Sequence, residues 1–330
     1  MVGNSQFKPL KPSKVLVTGA SGFLGSAVVE RLATRDGHNV LAMVRSESTM
    51  FAHPVERVCA DLDNLSQRPL PLAGVDVIVH CAARVHVMGD NSDDPLAQYR
   101  KVNVDATVEL AKQAVLAGVK RFVFISSIKV NGEVTVLGKP YTAEDVPAPS
   151  DPYGVSKMEA EQQLKLIADA SSLEVVIIRP VLVYGPGVKA NFNSMMKWLS
   201  RGVPLPLGAI RNQRSLVALD NLVDLIATCI SHPAAANQTF LVSDGEDMST
   251  TKLLTRMGVA LSKKARLLPV PASILFACAA LLGQRAVAQR LCGSLQVDIS
   301  KAHNLLGWSP PSSVEDSLLK TAESFQKESV

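Results

Sequence analysis

An α/β fold built on a doubly wound parallel sheet is what this chain predicts, and three observations carry it. Apolar runs of strand length alternate with helical patterns through the first half of the 330 residues. Several of these runs are apolar almost throughout, as expected of strands covered on both faces. A glycine-rich turn, Gly19-Ala-Ser-Gly22-Phe-Leu-Gly25, directly follows the first run and opens a helix. Strand and helix alternating in this way build a parallel sheet with helices on both sides.

The elements follow in order. Lys14–Thr18, Asn39–Val44, Val55–Ala60, Val75–Cys81 and Arg121–Ser127 read as strands. Gly22–Arg35, Pro95–Gly118 and Pro152–Ala170 read as helices between them, and Glu174–Pro180 is a sixth or later strand. After Pro180 the rhythm changes. Tyr184-Gly-Pro-Gly187 and Pro204-Leu-Pro-Leu-Gly208 are rich in turn residues. Ser215–Ala218 and Thr239–Val242 read as returns to the sheet. Asp220–Ser231, Ser249–Leu261, Pro271–Arg290, Asp298–Leu306 and Ser313–Phe325 read as helices. The expected organisation is a dinucleotide-binding domain over 1–185 with returning segments near 214–242. A smaller, interleaved C-terminal region over 186–330 mainly receives the substrate.

Composition narrows the function. Hydrophobic residues make up 47% of the chain, enough for a large core, and the net charge of +4 includes no basic block of the kind nucleic-acid binding needs. The five cysteines are scattered, without a Cys-x-x-Cys pair, so neither a disulfide framework nor a metal site is expected. A reducing cytoplasm fits that usage. Met1–Lys14 lacks the apolar core of a signal peptide. The most apolar run, Ala272–Leu282, is far short of the ~20 residues that span a bilayer. It is expected as a buried or partner-facing helix, with peripheral membrane contact as the alternative.

The glycine-rich turn is the first candidate site. Glycines let the backbone turn tightly and approach a pyrophosphate, and the helix start behind them supplies free N–H groups. The set Gly19, Ser21, Gly22, Phe23, Leu24 and Gly25 therefore reads as the dinucleotide cradle of a Rossmann-type sheet, spaced GxxGxxG rather than GxGxxG. The second strand ends Val40-Leu-Ala-Met-Val-Arg45, without the acid that grips a ribose 2′-hydroxyl in NAD sites. Arg45 suits a 2′-phosphate instead, so NADP(H) is favoured over NAD(H). Asp61, followed by Leu62 just after the third strand, is placed to accept from the adenine amino group. His80-Cys-Ala82-Ala83 ends the fourth strand in small residues, as close passage beside a cofactor requires.

The second candidate site is Tyr153-Gly-Val-Ser-Lys157. A helix stacks residues four apart on one face. A phenol normally titrates near pH ~10. A lysine cation beside it favours the phenolate and yields a proton donor and acceptor usable near neutrality. Upstream of the pair stands Ser126-Ser127.

GASGFLG, the HCAA strand end, Asn103 in KVNVDAT, SSIKVNG, YGVSK, RPVLVYGPG from Arg179 to Gly187, and the late SKAHNLLGWSP together resemble the extended short-chain dehydrogenase/reductases, the NAD-dependent epimerase/dehydratase family. The resemblance covers roughly residues 13 to 320 and is nearest to the bacterial UDP-sugar 4-epimerases and UDP-4-keto-6-deoxy-N-acetylhexosamine 4-reductases of surface-polysaccharide (O-antigen) synthesis. It implies roles residue by residue. Tyr153 is the acid–base at the sugar 4-oxygen, Lys157 holds the nicotinamide ribose, and Ser127 hydrogen-bonds the reacting oxygen. Asn103 fixes the helix leading to the site, and Pro180 to Val183 pack against the nicotinamide. Asn191 and Arg214 are implied for the diphosphate of a UDP-sugar, and Leu205–Gly208 for the uracil. Pairing through the 95–118 and 152–170 helices implies a homodimer.

Two departures from the family pattern stand near the sugar. Val130-Asn131-Gly132 replaces Val-Tyr-Gly, and Lys129 stands where a small polar residue is usual; Lys129 is expected to meet the N-acetyl or keto group. The leading expectation is an NADPH-dependent 4-ketoreductase, and the alternative is a 4-epimerase with tightly held NAD. A 4,6-dehydratase is disfavoured, because Ser127 is followed by Ile128-Lys129 and not by an Asp-Glu pair. A small-molecule carbonyl reductase and a non-catalytic NADP-binding sensor are the remaining alternatives.

Overall fold

The computed structural model describes residues 13–85 and 94–328. Most of the Met1–Lys14 stretch tested above for a leader lies outside that range. One sheet carries seven strands: β1 (Lys14–Thr18), β2 (Asn39–Val44), β3 (Glu56–Cys59), β4 (Val77–His80), β5 (Arg121–Ile125), β6 (Glu174–Pro180) and, late in the chain, β9 (Thr239–Val242). Their order is β3-β2-β1-β4-β5-β6-β9. β1 lies parallel to β2 and β4, in register Val15↔Val40 and Val15↔Val77. The pairs β2–β3 and β4–β5 are parallel too. This is the doubly wound arrangement expected from the alternation of strand and helix. β4 and β5 are buried at every residue, which is why both read as apolar runs broken only at one end, by His80 in β4 and Arg121 in β5.

The helices are α1 (Phe23–Thr34), α2 (Pro95–Arg100), α3 (Ala106–Leu116), α4 (Pro152–Asp169), α5 (Ala190–Ser200), α6 (Leu219–Ser231), α7 (Thr250–Ala260), α8 (Ala272–Leu281), α9 (Arg285–Cys292), α10 (Ser300–Leu306) and α11 (Val314–Glu328). The chain divides into two compact units. The first comprises residues up to Ile125 together with Glu159–Ile177 and Ile226–Gln238. Its core joins Leu16, Ile78, Phe122 and Phe124 of the sheet to Leu110 of α3 and Leu164 of α4. Arg121 is fixed at its edge by Glu174 and by the carbonyls of Cys229 and His232. The second unit comprises Ser126–Met158, Ile178–Leu225 and the chain from Thr239 onward. Its core packs Phe192, Met196 and Leu199 of α5 with Leu254 and Met257 of α7 and Leu318 of α11.

Three expectations are corrected. Ser215–Ala218 does not return to the main sheet. Leu216–Ala218 (β8) pairs in parallel with Leu182–Tyr184 (β7) as a separate two-stranded sheet, while Arg214 bridges to Met248 and Leu295. Pro271–Arg290 is not one helix. Gly283 takes the left-handed conformation (φ +67), the Gln284 amide closes back on the Ala279 carbonyl, and α8 ends there. Pro95–Gly118 carries a π-helical turn at Lys101–Asp105 between α2 and α3, and such turns gather where a side chain is needed off the regular helical path. The sequence reading also missed α5. Its buried Phe192, Met195, Met196 and Leu199 have helical spacing that the turn-rich residues before and after it obscured.

Candidate active site

The first unit places the glycine-rich turn at the C-terminal end of β1, where ligands bind in open α/β sheets. Gly19 has φ +64, and a Cβ built on it would lie 2.8 Å from the Ala82 nitrogen. A Cβ on Gly25, already inside α1, would lie 2.1 Å from the Gly19 carbonyl oxygen. The turn from β1 to α1 is therefore packed backbone against backbone, with the Ala82 strand end against it. Gly22 caps α1 without a side-chain hydrogen bond, and the first turn of α1 holds no acidic residue. Ser21 is exposed, and Phe23, Leu24 and Gly25 form the opening turn of the helix. Its first amides have no side-chain anion of their own.

The geometry around Ala82 rests on polar groups that the sequence reading passed over. Thr18, His80 and Thr107 are fully buried. Thr18 Oγ1 lies 2.7 Å from His80 Nδ1, and His80 Nε2 lies 3.0 Å from Thr107 Oγ1. Thr18 Oγ1 also accepts from the Ala82 amide, and Thr107 Oγ1 donates to the Asn103 carbonyl. Thr107 Oγ1 gives its proton to the Asn103 carbonyl, so towards His80 Nε2 it acts as the acceptor. A histidine inside an apolar strand was the available signal, because a buried imidazole demands partners. Asn103, in the π-helical turn, accepts from the Arg84 amide at 2.8 Å and donates to its carbonyl at 3.1 Å. Its side chain thus ties the segment leaving Ala82-Ala83. Arg45 is exposed at the end of β2 and makes no ion pair among the described residues. Asp61 accepts from the Asp63 amide with Oδ1, and Leu62 starts the short 3₁₀ turn that Asp61 caps.

The second unit holds Ser127, Tyr153 and Lys157. Ser127 caps the turn Ile128–Val130, accepting from the Lys129 amide at 3.3 Å. Tyr153 and Lys157 lie one turn apart on α4; the phenol is half-buried and Lys157 is 2% exposed. The start of that helix is set by Asp151, whose Oδ1 accepts from the Gly154 amide at 2.7 Å. Lys129 completes the brace. Its ammonium donates to Asp151 Oδ2 and pairs with Glu133 at 2.9 Å. Its carbonyl oxygen lies where a Cβ on Gly154 would sit, at 2.9 Å. Burial works against the Lys129 charge, but the hydrogen bonds to Asp151 and Glu133 outweigh it and its pKa moves up. Lys129, expected to meet the sugar, has its ammonium committed to two carboxylates. It joins the segment after Ser127 to the helix start before Tyr153.

Asn131, the second departure, is also structural. It is buried, accepts from Arg179 Nη1 at 2.9 Å and donates to the Thr142 carbonyl at 2.9 Å. Pro180 is buried at the end of β6, and Val183 is half-buried in β7. Asn191 is exposed in the first turn of α5. Arg214 donates to the Gly293 carbonyl at 3.1 Å and has no carboxylate partner among the described residues; burial lowers its pKa. Two buried acceptors near these residues in sequence lack a partner, Asn193 Oδ1 and Gln213 Oε1. Leu205 and Gly208 pair with Arg266–Leu268, and Leu205 and Leu207 line an apolar cavity of about 350 Å³.

Comparison with known proteins bears on the family and the fold. The family model described as NAD dependent epimerase/dehydratase family matches residues 15–243. A Vibrio cholerae protein named UDP-glucose 4-epimerase is 50% identical over 315 residues, covering 95% of this chain and 96% of that one. The crystal structure of a Thermotoga maritima UDP-glucose 4-epimerase with UDP-glucose superposes with a TM-score of 0.77 at 24% identity, covering 96% of this chain and all of that one. MoeE5 in complex with UDP-glucose and NAD gives a TM-score of 0.73 at 25% identity, with 96% and 100% coverage.

Proposed function

The chain belongs to the NAD dependent epimerase/dehydratase family, and from that premise we propose that it is a UDP-sugar 4-epimerase, inverting the hydroxyl at C4 of a UDP-linked hexose. The observation that carries this reading is the 50% identity, kept along almost the whole of both chains, to a UDP-glucose 4-epimerase. It reverses the order of the two expectations drawn from the sequence, in which the 4-ketoreductase led.

The glycine turn fits a dinucleotide. The volume a Cβ would need at Gly19 and Gly25 is filled by backbone, and α1 opens with amides free of a side-chain acceptor, a cradle for a pyrophosphate. When bound, the nicotinamide supplies the hydride acceptor and donor. Gly19, Gly22 and Gly25 would hold the pyrophosphate, with Ala82 and Ala83 passing beside it. Tyr153 takes the proton from the sugar 4-hydroxyl and returns it to the 4-oxygen on the opposite configuration. Lys157, buried on the same helix, keeps a positive charge beside the phenol and favours its ionised form. Ser127 hydrogen-bonds the 4-oxygen. Arg214 carries a guanidinium without a carboxylate partner among the described residues, suited to bidentate contact with a diphosphate, and Asn191 stands at the start of α5 for the same group.

A second reading, reduction of a UDP-4-keto sugar by NADPH, is favoured by Arg45. It stands exposed, and without an ion pair among the described residues, where NAD sites usually carry an acid. The test separates the two. The purified chain is incubated with UDP-glucose or UDP-N-acetylglucosamine, and products are resolved chromatographically while NAD(P)H absorbance is followed. The expected result is the same equilibrium mixture reached from either C4 epimer, with no net change in the dinucleotide, and loss of both directions in Tyr153→Phe. Stoichiometric consumption of NADPH on a UDP-4-keto sugar, with no epimer formed, overturns the proposal and installs the reductase.

A further inference from the structure

α8 and α9 present a surface to which the reading of the active site gives no role. The half-buried positions of α8 are Ala272, Leu275, Phe276, Ala279 and Ala280, spaced for one face of a helix. The opposite face is Ser273, Ile274, Ala277, Cys278 and Leu281, all exposed. A solvent-facing helix surface ordinarily carries charge; this one carries none. Leu281 is 89% exposed and Leu282, just past the helix end, 75%. Leu282, next to Leu281, also lines the apolar cavity of about 350 Å³, together with Trp198, Val203, Leu205, Leu275 and Leu291. Contiguous apolar surface of this kind marks an interaction site.

Charge identifies the occupant. From Met248 to Val297 the sequence contains no aspartate and no glutamate. Within that stretch Lys263, Lys264, Arg266, Arg285 and Arg290 flank the apolar run, all exposed and none in an ion pair among the described residues. A two-fold interface sets a patch against its own copy, which here brings five unpaired cations towards five more. An anionic bilayer satisfies both features at once: apolar side chains enter the acyl boundary while the basic rim meets the headgroups. No helix among the described residues is long and apolar enough to cross a membrane, so the contact lies at the surface.

We propose that the α8–α9 face, with its rim of Lys263, Lys264, Arg266, Arg285 and Arg290, docks the protein reversibly on an anionic lipid bilayer. The proposal is independent of which reaction the active site performs, and its test makes no use of activity. The full chain is co-sedimented with phosphatidylcholine vesicles and with vesicles also containing phosphatidylglycerol, at low and high salt. Wild-type protein is expected to sediment with the anionic vesicles, much less with the neutral ones, and to be released by salt. Each basic residue near an anionic surface contributes roughly fivefold to partitioning, so Lys263→Ala with Lys264→Ala lowers binding about 25-fold. Leu281→Asp, at a solvent-exposed position, lowers it while leaving the fold intact by circular dichroism. Wild-type protein that stays in the supernatant with both vesicle types overturns the proposal. So does a concentration-dependent dimer in sedimentation velocity that Leu281→Asp abolishes while vesicle binding persists; that result gives the face to a second copy of the chain.

Discussion

Replacing Gly25 by alanine tests whether the β1–α1 turn is held by backbone contact. The new Cβ would stand 2.1 Å from the Gly19 oxygen, 2.7 Å from its carbonyl carbon and 3.1 Å from Ala20 Cα. Non-bonded carbons settle at roughly 3.5–4.0 Å, so the Gly19 carbonyl has to retreat by about 1 Å. Every obstructing atom is backbone, and no change of rotamer relieves it. Two effects oppose each other. Alanine is the better helix former by roughly 1 kcal/mol, while overpacking of this kind costs roughly 1–3 kcal/mol. At the upper end of that range the clash wins by about 2 kcal/mol, and for a chain of 330 residues Tm falls by roughly 1.5 °C for each of them. The larger consequence is positional, because a displacement near 1 Å at a site costs on the order of 100-fold in rate. Calorimetric titration with NAD and thermal unfolding of Gly25→Ala measure both, with Gly37→Ala as the control. Gly37 is also left-handed (φ +67), but its Cβ meets nothing within 4 Å, so stability drops by roughly 1 kcal/mol with NAD affinity kept. Wild-type affinity and Tm in Gly25→Ala refute the reasoning.

Two further outcomes follow from named contacts. Asn103→Leu removes the two hydrogen bonds that its side chain makes to the Arg84 amide and carbonyl; a bond of this kind contributes roughly 0.5–1.5 kcal/mol. Hydrogen exchange at Arg84 should accelerate, and unchanged protection would assign its order to other contacts. Glu246 is held down to about 2 by hydrogen bonds from Arg256 and Lys252. A carboxylate depressed in the folded state stabilises it fully above the unfolded value near 4.5, and that contribution fades as pH falls towards about 2. Solvent screening keeps it small. In an acid titration of stability, Glu246→Gln should flatten the wild-type slope across that window and leave the curve unchanged in shape above it.

The strands were legible because burial on both faces leaves no other reading for runs such as Val15-Leu-Val17 and Val175-Val-Ile-Ile178. β1, β2, β6 and β9 begin and end at the residues the pattern predicts. Helix ends and interruptions were less so. Gly283 stops a helix that apolar periodicity alone would carry through to Arg290, and the π-helical turn at Asn103 has no spacing signature because it answers to a partner nineteen residues upstream. Among the site residues, glycines announced themselves through type and interval. Lys129 did not: Glu133 stands only four residues on, but the commitment to Asp151 depends on where the chain returns twenty-two residues later, which no local pattern records. Likewise, Asn131 looked like a specificity position and is a buried link between Arg179 and Thr142.

The two compact units have a consequence for anyone who would rebuild this enzyme. The chain passes from one to the other after residues 125, 158, 177, 225 and 238. Neither half is a contiguous stretch of coding sequence, and α4 itself begins in one and ends in the other. A cut near residue 185 separates residues 226–238 from the rest of the first unit, and 126–158 with 178–185 from the rest of the second. Modular exchange, in which one whole unit is replaced by a donor's, is therefore closed at the level of a single segment. New specificity has to be written residue by residue into a single interlaced scaffold.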